Sequence, residues 1–290
     1  MAAIRGVITA MVTPFDEAGR VDEDGARRLA SHLVEQGSHG LVVAGTTGES
    51  PTLSDEEVLG LLQAVREQVA GDAFVVCGTG TNDTRHTREL TKAAAAAGAD
   101  AALVVTPYYN KPNKAGLRAH FEAVAESAPE LPIVLYNIPS RVVVNLEPSF
   151  LSELSSIDSV VAVKQANDEE LGPIEGLEVL AGNDGVFVDT LEFGGAGGIL
   201  VAANLVGQRM REIWDAAQEG DLVRAREIDA ELRDVYAAMS VHNPIPVKAG
   251  LEMLGLVPGR MRLPLVPADE EQRASVRMAL ESAGVLATAG

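Results

Sequence analysis

The chain has 290 residues, with 23 Lys plus Arg against 42 Asp plus Glu, so its formal net charge is −19. A polyanion of this size repels nucleic acids and anionic lipids through its overall field, and neither is an expected partner. Hydrophobic residues make up 47% and charged residues 22%, which is typical of a globular protein and excludes a disordered one.

Short β-branched runs alternate with longer amphipathic stretches along most of the chain. The runs are continuously apolar, as in parallel strands that helices cover on both faces. Helix starts are indicated at Asp22 or Asp24, at the capping box Ser54–Glu57, and at Asp83 or Thr84. The predicted strands are Gly6–Phe15, Gly40–Gly45, Ala73–Gly78, Ala99–Thr106, Leu131–Asn137, Ser159–Gln165, Leu177–Ala181 and Gly197–Ala202.

These eight strand–helix units predict an α/β fold, a (β/α)8 TIM barrel over residues 1–220. The helix after the sixth strand is expected to be short and broken by Pro173. A doubly wound open sheet is the rival fold, but Met11–Pro14 does not resemble a glycine-rich nucleotide turn. From residue 221 to 290 we expect a C-terminal all-helical extension packed on the barrel, with helices at Asp221–Met239, Pro246–Leu254 and Ala268–Ala283.

Several cofactor and metal motifs are missing from the sequence. Gly78–Asp83 lacks the third glycine of a dinucleotide turn, and no GxxxxGK[ST] or GxSxG segment occurs. The five histidines lack ligand spacing, and the single Cys77 excludes a disulfide framework or a cysteine-rich metal site. The sequence shows no secretory signal and no apolar run of ~20 residues, so we expect a cytoplasmic protein that does not associate with a membrane. We also expect it to bind no metal ion and no separate cofactor.

Lys164 is the first candidate for chemistry. It ends the apolar run Val160–Val163, whereas the other four lysines lie in helical or loop contexts with polar neighbours: Lys92, Lys111, Lys114 and Lys248. Burial disfavours an ammonium ion, and the neutral amine is the nucleophile that imine formation needs. Taken alone, the position fits equally well a strand-end lysine that pairs with a carboxylate.

Other strand ends carry compatible groups. Tyr136 closes the fifth strand, Tyr108 and Tyr109 follow the fourth, and the turn Gly45–Glu49 follows the second. These are carboxyl ends, the face on which barrel enzymes hold their active sites. A phenol can shuttle protons beside an amine, and a turn of glycine and threonine offers donors to a carboxylate. Arg141 either binds a further carboxylate or forms an ion pair within the protein.

Five segments together resemble a known family. In order and spacing, from Gly6 to Leu256, the chain resembles the dihydrodipicolinate synthase family, pyruvate-dependent class I aldolases in a superfamily with N-acetylneuraminate lyase. The resemblance implies a lyase that condenses pyruvate with L-aspartate-4-semialdehyde to 4-hydroxy-tetrahydrodipicolinate, the first committed step of diaminopimelate and lysine biosynthesis. The segments are Gly45–Ser50, Val105–Pro112, Leu135–Arg141, Val163–Lys164 and Asn243–Lys248.

Two other functions stay open. A sister aldolase that acts on a sugar acid or another aldehyde would keep Lys164 and Tyr136 but have less use for Arg141. A catalytically silent barrel that serves as a binding module would be expected to have lost the lysine or the tyrosine.

The resemblance assigns catalytic roles to four residues. It implies that Lys164 forms the Schiff base with pyruvate, without a separate cofactor, and that Tyr136 is the adjacent acid and base. Thr46 and Tyr109 would complete a hydroxyl relay. In this family the tyrosine that matches Tyr109 reaches across a subunit interface, which implies at least a dimer and, by resemblance, a homotetramer built as a dimer of dimers.

The resemblance also assigns substrate contacts and a regulatory site. Thr47 would hold the pyruvate carboxylate, Ile199 would line the same pocket, and Arg141 would receive the carboxylate of the aldehyde. Feedback inhibition by lysine is predicted to be weak or absent, since the match to the inhibitor site is partial. Ser50, Asn82 and Tyr108 match it, but Asp55, Val58 and His86 stand where inhibited relatives often carry His, His and Glu.

Overall fold

A computed structural model describes residues 4–287 as a closed barrel of parallel strands. Successive strands are neighbours, and β8 pairs with β1, which confirms the predicted TIM barrel. The strands are β1 (Gly6–Ala10), β2 (Gly40–Val43), β3 (Phe74–Gly78), β4 (Ala101–Val105), β5 (Ile133–Asn137), β6 (Val160–Gln165), β7 (Glu178–Ala181) and β8 (Gly197–Leu200).

Helices follow the strands and form the C-terminal region. They are α1 (Glu23–Glu35), α2 (Asp55–Gln68), α3 (Thr84–Ala96), α4 (Lys114–Ser127), α5 (Pro139–Val142), α6 (Pro148–Leu154), α7 (Phe187–Glu192), α8 (Ala203–Gln218), α9 (Leu222–Glu231), α10 (Arg233–Ser240), α11 (Ile245–Met253) and α12 (Glu270–Ser282). Among the described residues, none of these helices is both long and apolar enough to cross a membrane.

The predicted helix starts are found where local hydrogen bonding favours them. The Asp22 side chain accepts from the Gly25 N–H at the start of α1. Ser54 and Glu57 form a reciprocal capping box at the start of α2. Asp83 caps α3. These caps satisfy N–H groups that have no partner within the helix, so they can be recognised from local sequence alone.

Three predicted elements differ from the structure. The first strand ends at Ala10 rather than Phe15, and Phe15 instead forms an isolated bridge with Val21. After β6 there is only a 3₁₀ turn, Asp168–Glu170, before Pro173. The predicted helix Asp221–Met239 is two helices, because the Leu232 N–H bonds to the Asp229 carbonyl three residues back, which interrupts the α-helical hydrogen-bond pattern.

One side chain from each strand fills the barrel interior. These side chains are buried in a single apolar cluster: Ile8, Val42, Val76, Leu103, Val134, Ala162, Leu180 and Ile199. Because successive side chains in a strand point to opposite faces, residues two positions further along face the interior again. Tyr136 follows Val134 and Lys164 follows Ala162 by two, so both lie one layer closer to the carboxyl ends.

The C-terminal helices share a core with the barrel. Val235 of α10, Leu251 of α11 and Leu280 of α12 belong to the same buried cluster as Val7 of β1 and Leu29 of α1. This packing holds the last helices against the barrel. The division of the chain at residue 220 stays a prediction.

At Gly78, β3 approaches the segment after β2 closely, and a substitution there tests this packing. A Cβ atom there would overlap the backbone carbonyl of Ala44, which has no freedom to move away. We expect Gly78→Ala to lower the free energy of unfolding by about 1–3 kcal/mol. Gly172→Ala is the control, since a Cβ there meets nothing within 4 Å. Urea unfolding curves that are equal for the two variants would contradict this packing.

Candidate active site

A cavity of about 490 Å³ lies at the carboxyl ends of the strands. Its wall comes from the barrel and also from α10, which supplies Arg233, Tyr236 and Ser240. The residues from the barrel side include Thr46, Thr47, Tyr136, Arg141, Lys164, Asp184 and Val201. The position agrees with the face on which TIM barrels carry their active sites.

Lys164 and Tyr136 are side by side in this cavity. They are register partners in β6 and β5, and each is only 5% exposed. The Lys164 Nζ lies 4.3 Å from the centre of the Tyr136 ring. Within residues 4–287 Lys164 forms no ion pair, whereas Lys114 and Lys248 do. In the described part of the chain no carboxylate therefore lies within ion-pair distance of Lys164, and the residue lines the cavity.

The turn after β2 places two threonines in the cavity wall. Gly48 N–H donates to the Gly45 carbonyl (3.1 Å) and Glu49 N–H to the Thr46 carbonyl (3.1 Å), which closes the turn. The Thr47 hydroxyl accepts a hydrogen bond from Asn243 Nδ2 at 3.0 Å. Asn243 also lines the cavity, and sequence reasoning gave it no role of its own.

Arg141 lies at the mouth of the cavity, on α5. It is exposed, and its Nη2 lies 3.5 Å from the Asn243 carbonyl. No ion pair to Arg141 exists among residues 4–287, although many other arginines are paired. The alternative of an ion pair within the protein thus finds no partner in the described residues, and the guanidinium is available to an anion.

Two predicted site residues do not line this cavity. Ile199 is fully buried in the barrel interior, and Val201, two residues further on, reaches the cavity instead. Tyr109 is 88% exposed and has a positive φ of 71°, in a loop that directs it away from the chain's own core. The structure therefore brings together Lys164, Tyr136, Thr46, Thr47 and Arg141.

Asp184 is a cavity residue that the sequence did not identify as functional. Its Oδ1 accepts hydrogen bonds from Val201 N–H (2.9 Å) and Ala202 N–H (3.0 Å). Burial raises the pKa of Asp184 to about 6, although these N–H groups and the charge of Lys164 oppose the shift. With a pKa of about 6, the Asp184 carboxyl lines the same cavity as the candidate nucleophile, Lys164.

A second cavity of about 250 Å³ adjoins the first and shares Thr46 and Arg141 with it. His86 Nε2 and Asp55 Oδ1 are hydrogen-bonded at 2.8 Å across its wall. The Asn82 carbonyl is near this region and accepts from Asn110 Nδ2. The residues of the predicted inhibitor site that line the cavity are Ser50, Asp55, Val58, His86 and Tyr108.

The side chains around the cavity and elsewhere in the described residues differ from known metal-ligand arrangements. Between residues 4 and 287, no group of three or more His, Cys, Asp or Glu side chains is arranged to hold a metal ion. The groups that face the cavity are an amine, a phenol, hydroxyls, a guanidinium and a carboxyl.

An amine at the end of a buried strand, beside a phenol in a TIM barrel, defines the class of lysine-dependent barrel aldolases. Comparison with known proteins makes the assignment narrower. The chain belongs to the dihydrodipicolinate synthetase family, whose model matches residues 3–283. It is 49% identical over 278 residues to the 4-hydroxy-tetrahydrodipicolinate synthase of Parasynechococcus marenigrum (strain WH8102), covering 93% of this chain and 92% of that relative.

Solved structures give the same result. The chloride-inhibited dihydrodipicolinate synthase of Acinetobacter baumannii, complexed with pyruvate, is 38% identical with a TM-score of 0.94, over 98% of this chain and 100% of that one. The enzyme of Cyanidioschyzon merolae with lysine bound is 38% identical with a TM-score of 0.93, over 97% of this chain and 99% of that one.

The buried Asp184 predicts a pH dependence of stability. Its pKa in the folded chain lies above the value of 3.8 for an exposed carboxyl, so the folded chain binds the proton more tightly. The free energy of unfolding of the parent, relative to that of Asp184→Asn, should therefore fall by about 2 kcal/mol as the pH rises from about 4 to about 6. Urea unfolding of both proteins across this range measures the difference.

The asparagine keeps an oxygen that can accept from Val201 and Ala202, so the comparison isolates the charge. Asp72→Asn, at an exposed position, is the control and should give no such trend. A constant difference between parent and Asp184→Asn over the whole range would contradict the assigned pKa.

Proposed function

We propose that the chain condenses pyruvate with L-aspartate-4-semialdehyde to 4-hydroxy-tetrahydrodipicolinate through a Schiff base on Lys164. The observation that carries the proposal is the buried Lys164 amine beside the Tyr136 ring, in a cavity at the carboxyl ends of the barrel strands. Family membership supports the same reaction, since the relatives named above are synthases of this product. No separate cofactor is required, because the imine activates pyruvate.

Each step uses a group in the cavity. The Lys164 amine adds to the keto carbon of pyruvate, and loss of water from the carbinolamine gives the imine. Removal of a proton from the methyl carbon gives an enamine, which attacks the aldehyde carbon of the second substrate. The amine of that substrate then attacks the imine carbon and displaces Lys164, which closes the ring. Tyr136 is the adjacent group that can transfer protons in these steps.

The turn after β2 and the Arg141 guanidinium are suited to bind the carboxylates of the two substrates. The Thr47 hydroxyl and backbone N–H groups of its turn are suited to hold the carboxylate of pyruvate. Arg141, exposed at the mouth and without an ion-pair partner in residues 4–287, suits the carboxylate of the aldehyde. This favours L-aspartate-4-semialdehyde over a sugar acid or another aldehyde, which would have less use for that charge.

Tyr109 supports an oligomeric active unit. A relay of Thr46, Tyr136 and Tyr109 cannot form within one chain if Tyr109 points outward, and its side chain is 88% exposed. We infer that Tyr109 enters the cavity of a neighbouring copy, so that a dimer is the smallest complete unit. By resemblance to the family, two such dimers would form a homotetramer, located in the cytoplasm.

Replacement of Lys164 tests the reaction and the residue together. We expect Lys164→Ala to reduce condensation of pyruvate with L-aspartate-4-semialdehyde by about 1,000-fold or more, because no other group supplies the imine. Lys92→Ala, at an exposed position on α3, is the control and should retain parental turnover. Turnover by Lys164→Ala at the parental rate would refute the mechanism. If the parent cleaved N-acetylneuraminate faster than it condensed pyruvate with L-aspartate-4-semialdehyde, that result would favour the sister aldolase.

Lysine inhibition is predicted to be weak or absent. Asp55 and His86 bond to each other across the second cavity, and the matching groups of inhibited relatives are different. Millimolar L-lysine should therefore leave turnover nearly unchanged. In the variant Asp55→His/Val58→His/His86→Glu, which restores the residue types of inhibited relatives, we expect inhibition to appear. Strong inhibition of the parent by millimolar lysine would overturn this prediction.

A further inference from the structure

Lys248 and Glu49 form an ion pair whose two side chains are fully buried. Lys248 Nζ donates to Glu49 Oε1 and also to the Arg260 carbonyl at 2.8 Å. The other carboxylate oxygen, Glu49 Oε2, accepts from the Arg262 backbone N–H at 3.1 Å. The pair joins α11 to the turn after β2, across 199 positions of sequence. Neither residue lines the cavity that contains Lys164.

An aromatic ring and a second ion pair enclose this contact. The Lys248 Nζ lies 4.2 Å from the centre of the Phe15 ring, and the Arg262 guanidinium packs on the same ring at 4.6 Å. Arg262 also makes two hydrogen bonds to the Glu57 carboxylate, at 2.5 and 2.7 Å. Contacts from several sides therefore hold the Lys248 and Glu49 side chains in place.

Packing alone does not explain a buried ion pair. Burial lowers the pKa of Lys248, and the neighbouring Glu49 opposes the shift. Because removing two charges from water is costly, well-packed apolar residues often stabilise a core as well as a buried ion pair does. What the pair supplies that apolar residues do not is a directed contact between two particular segments.

One of those segments carries the cavity threonines. Glu49 is the last residue of the turn, in a left-handed conformation with φ of 58°, and its N–H donates to the Thr46 carbonyl. The same C-terminal segment contacts the turn a second time, where Asn243 donates to the Thr47 hydroxyl. On the other side, the Thr13 hydroxyl donates to the Gly48 carbonyl at 2.6 Å.

We propose that the buried Lys248–Glu49 pair is a positioning device that fixes the turn Gly45–Glu49, so that Thr46 and Thr47 face Lys164 in the cavity. Lys248 and Glu49 are positioning residues, since they act through the threonines and do not touch substrate. The role rests on the proposed function of the site. Through Lys248, α11 of the C-terminal region would then help to position active-site residues as well as pack on the barrel.

The test removes both charges at once. A single replacement such as Lys248→Met leaves a buried charge without a partner and is expected to destabilise the fold strongly. The double variant Glu49→Gln/Lys248→Met keeps the volume of both side chains and leaves no unpaired charge. Its kinetics with pyruvate are compared with those of Leu154→Ala, which weakens a fully buried position on α6 in a core cluster that contains no residue of the turn.

We expect the double variant to fold and to lose about 100-fold in kcat/KM for pyruvate, the order of effect for a misplacement near 1 Å. Part of the loss should appear as a higher KM for pyruvate, since Thr47 is the proposed carboxylate ligand. Leu154→Ala should keep the parental KM even though its melting temperature falls. A crystal structure of the double variant should show Thr46 and Thr47 displaced relative to Lys164.

Three results would overturn the proposal. The double variant could keep the parental kcat and KM, or Leu154→Ala could raise the KM for pyruvate as much as the double variant does. Loss of folding in the double variant would also contradict it, because the pair would then be required for the core rather than for the turn. A parent protein that does not condense pyruvate would instead refute the proposed function itself.

Discussion

The site depends on an amine that the barrel buries without a counter-ion in the described residues. Lys164 ends β6 in the interior layer above Ala162, and the register between β5 and β6 sets Tyr136 beside it. Lys164 and Tyr136 are each only 5% exposed, and no carboxylate of residues 4–287 lies within ion-pair distance of the Lys164 amine. The strand geometry therefore specifies both the position of the amine and the phenol available for proton transfer.

The chain contains a second buried lysine with the opposite arrangement. Lys248 is more buried than Lys164, but Glu49 and the Arg260 carbonyl occupy its donors. The prediction of a helical or loop context is confirmed, since Lys248 lies in α11, but its side chain is fully buried rather than among polar neighbours. Its environment is set by a carboxylate 199 residues away, and no local pattern around Asn243–Lys248 contains that information.

Elements governed by local interactions could be predicted from the sequence. All eight strands are present, and the caps at Asp22, Ser54 and Asp83 were recognisable because each involves residues within four positions. The carboxyl ends of the strands then indicated one face for Lys164 and Tyr136. Strand ends were less accurate, since an apolar run continues beyond Ala10 after the ladder hydrogen bonds of β1 have stopped.

Contributions from distant segments could not be predicted in the same way. α10 begins after the break at Leu232, and its Arg233 and Tyr236 form part of the cavity wall. Asp184 becomes a buried acceptor only because the N–H groups after β8 point at it. Tyr109 is 88% exposed in the single chain, so the relay proposed for it requires a neighbouring copy. Each of these facts depends on tertiary or quaternary placement.

The most direct test of the central claim compares the two buried lysines within one experiment. The protein is incubated with pyruvate, reduced with borohydride, digested and mapped by mass spectrometry. We expect one pyruvate-derived adduct, on Lys164, and an unmodified Lys248, because only Lys164 lines the cavity, and it has no ion-pair partner in residues 4–287. An adduct on Lys248 or on an exposed lysine, with Lys164 unmodified, would contradict it.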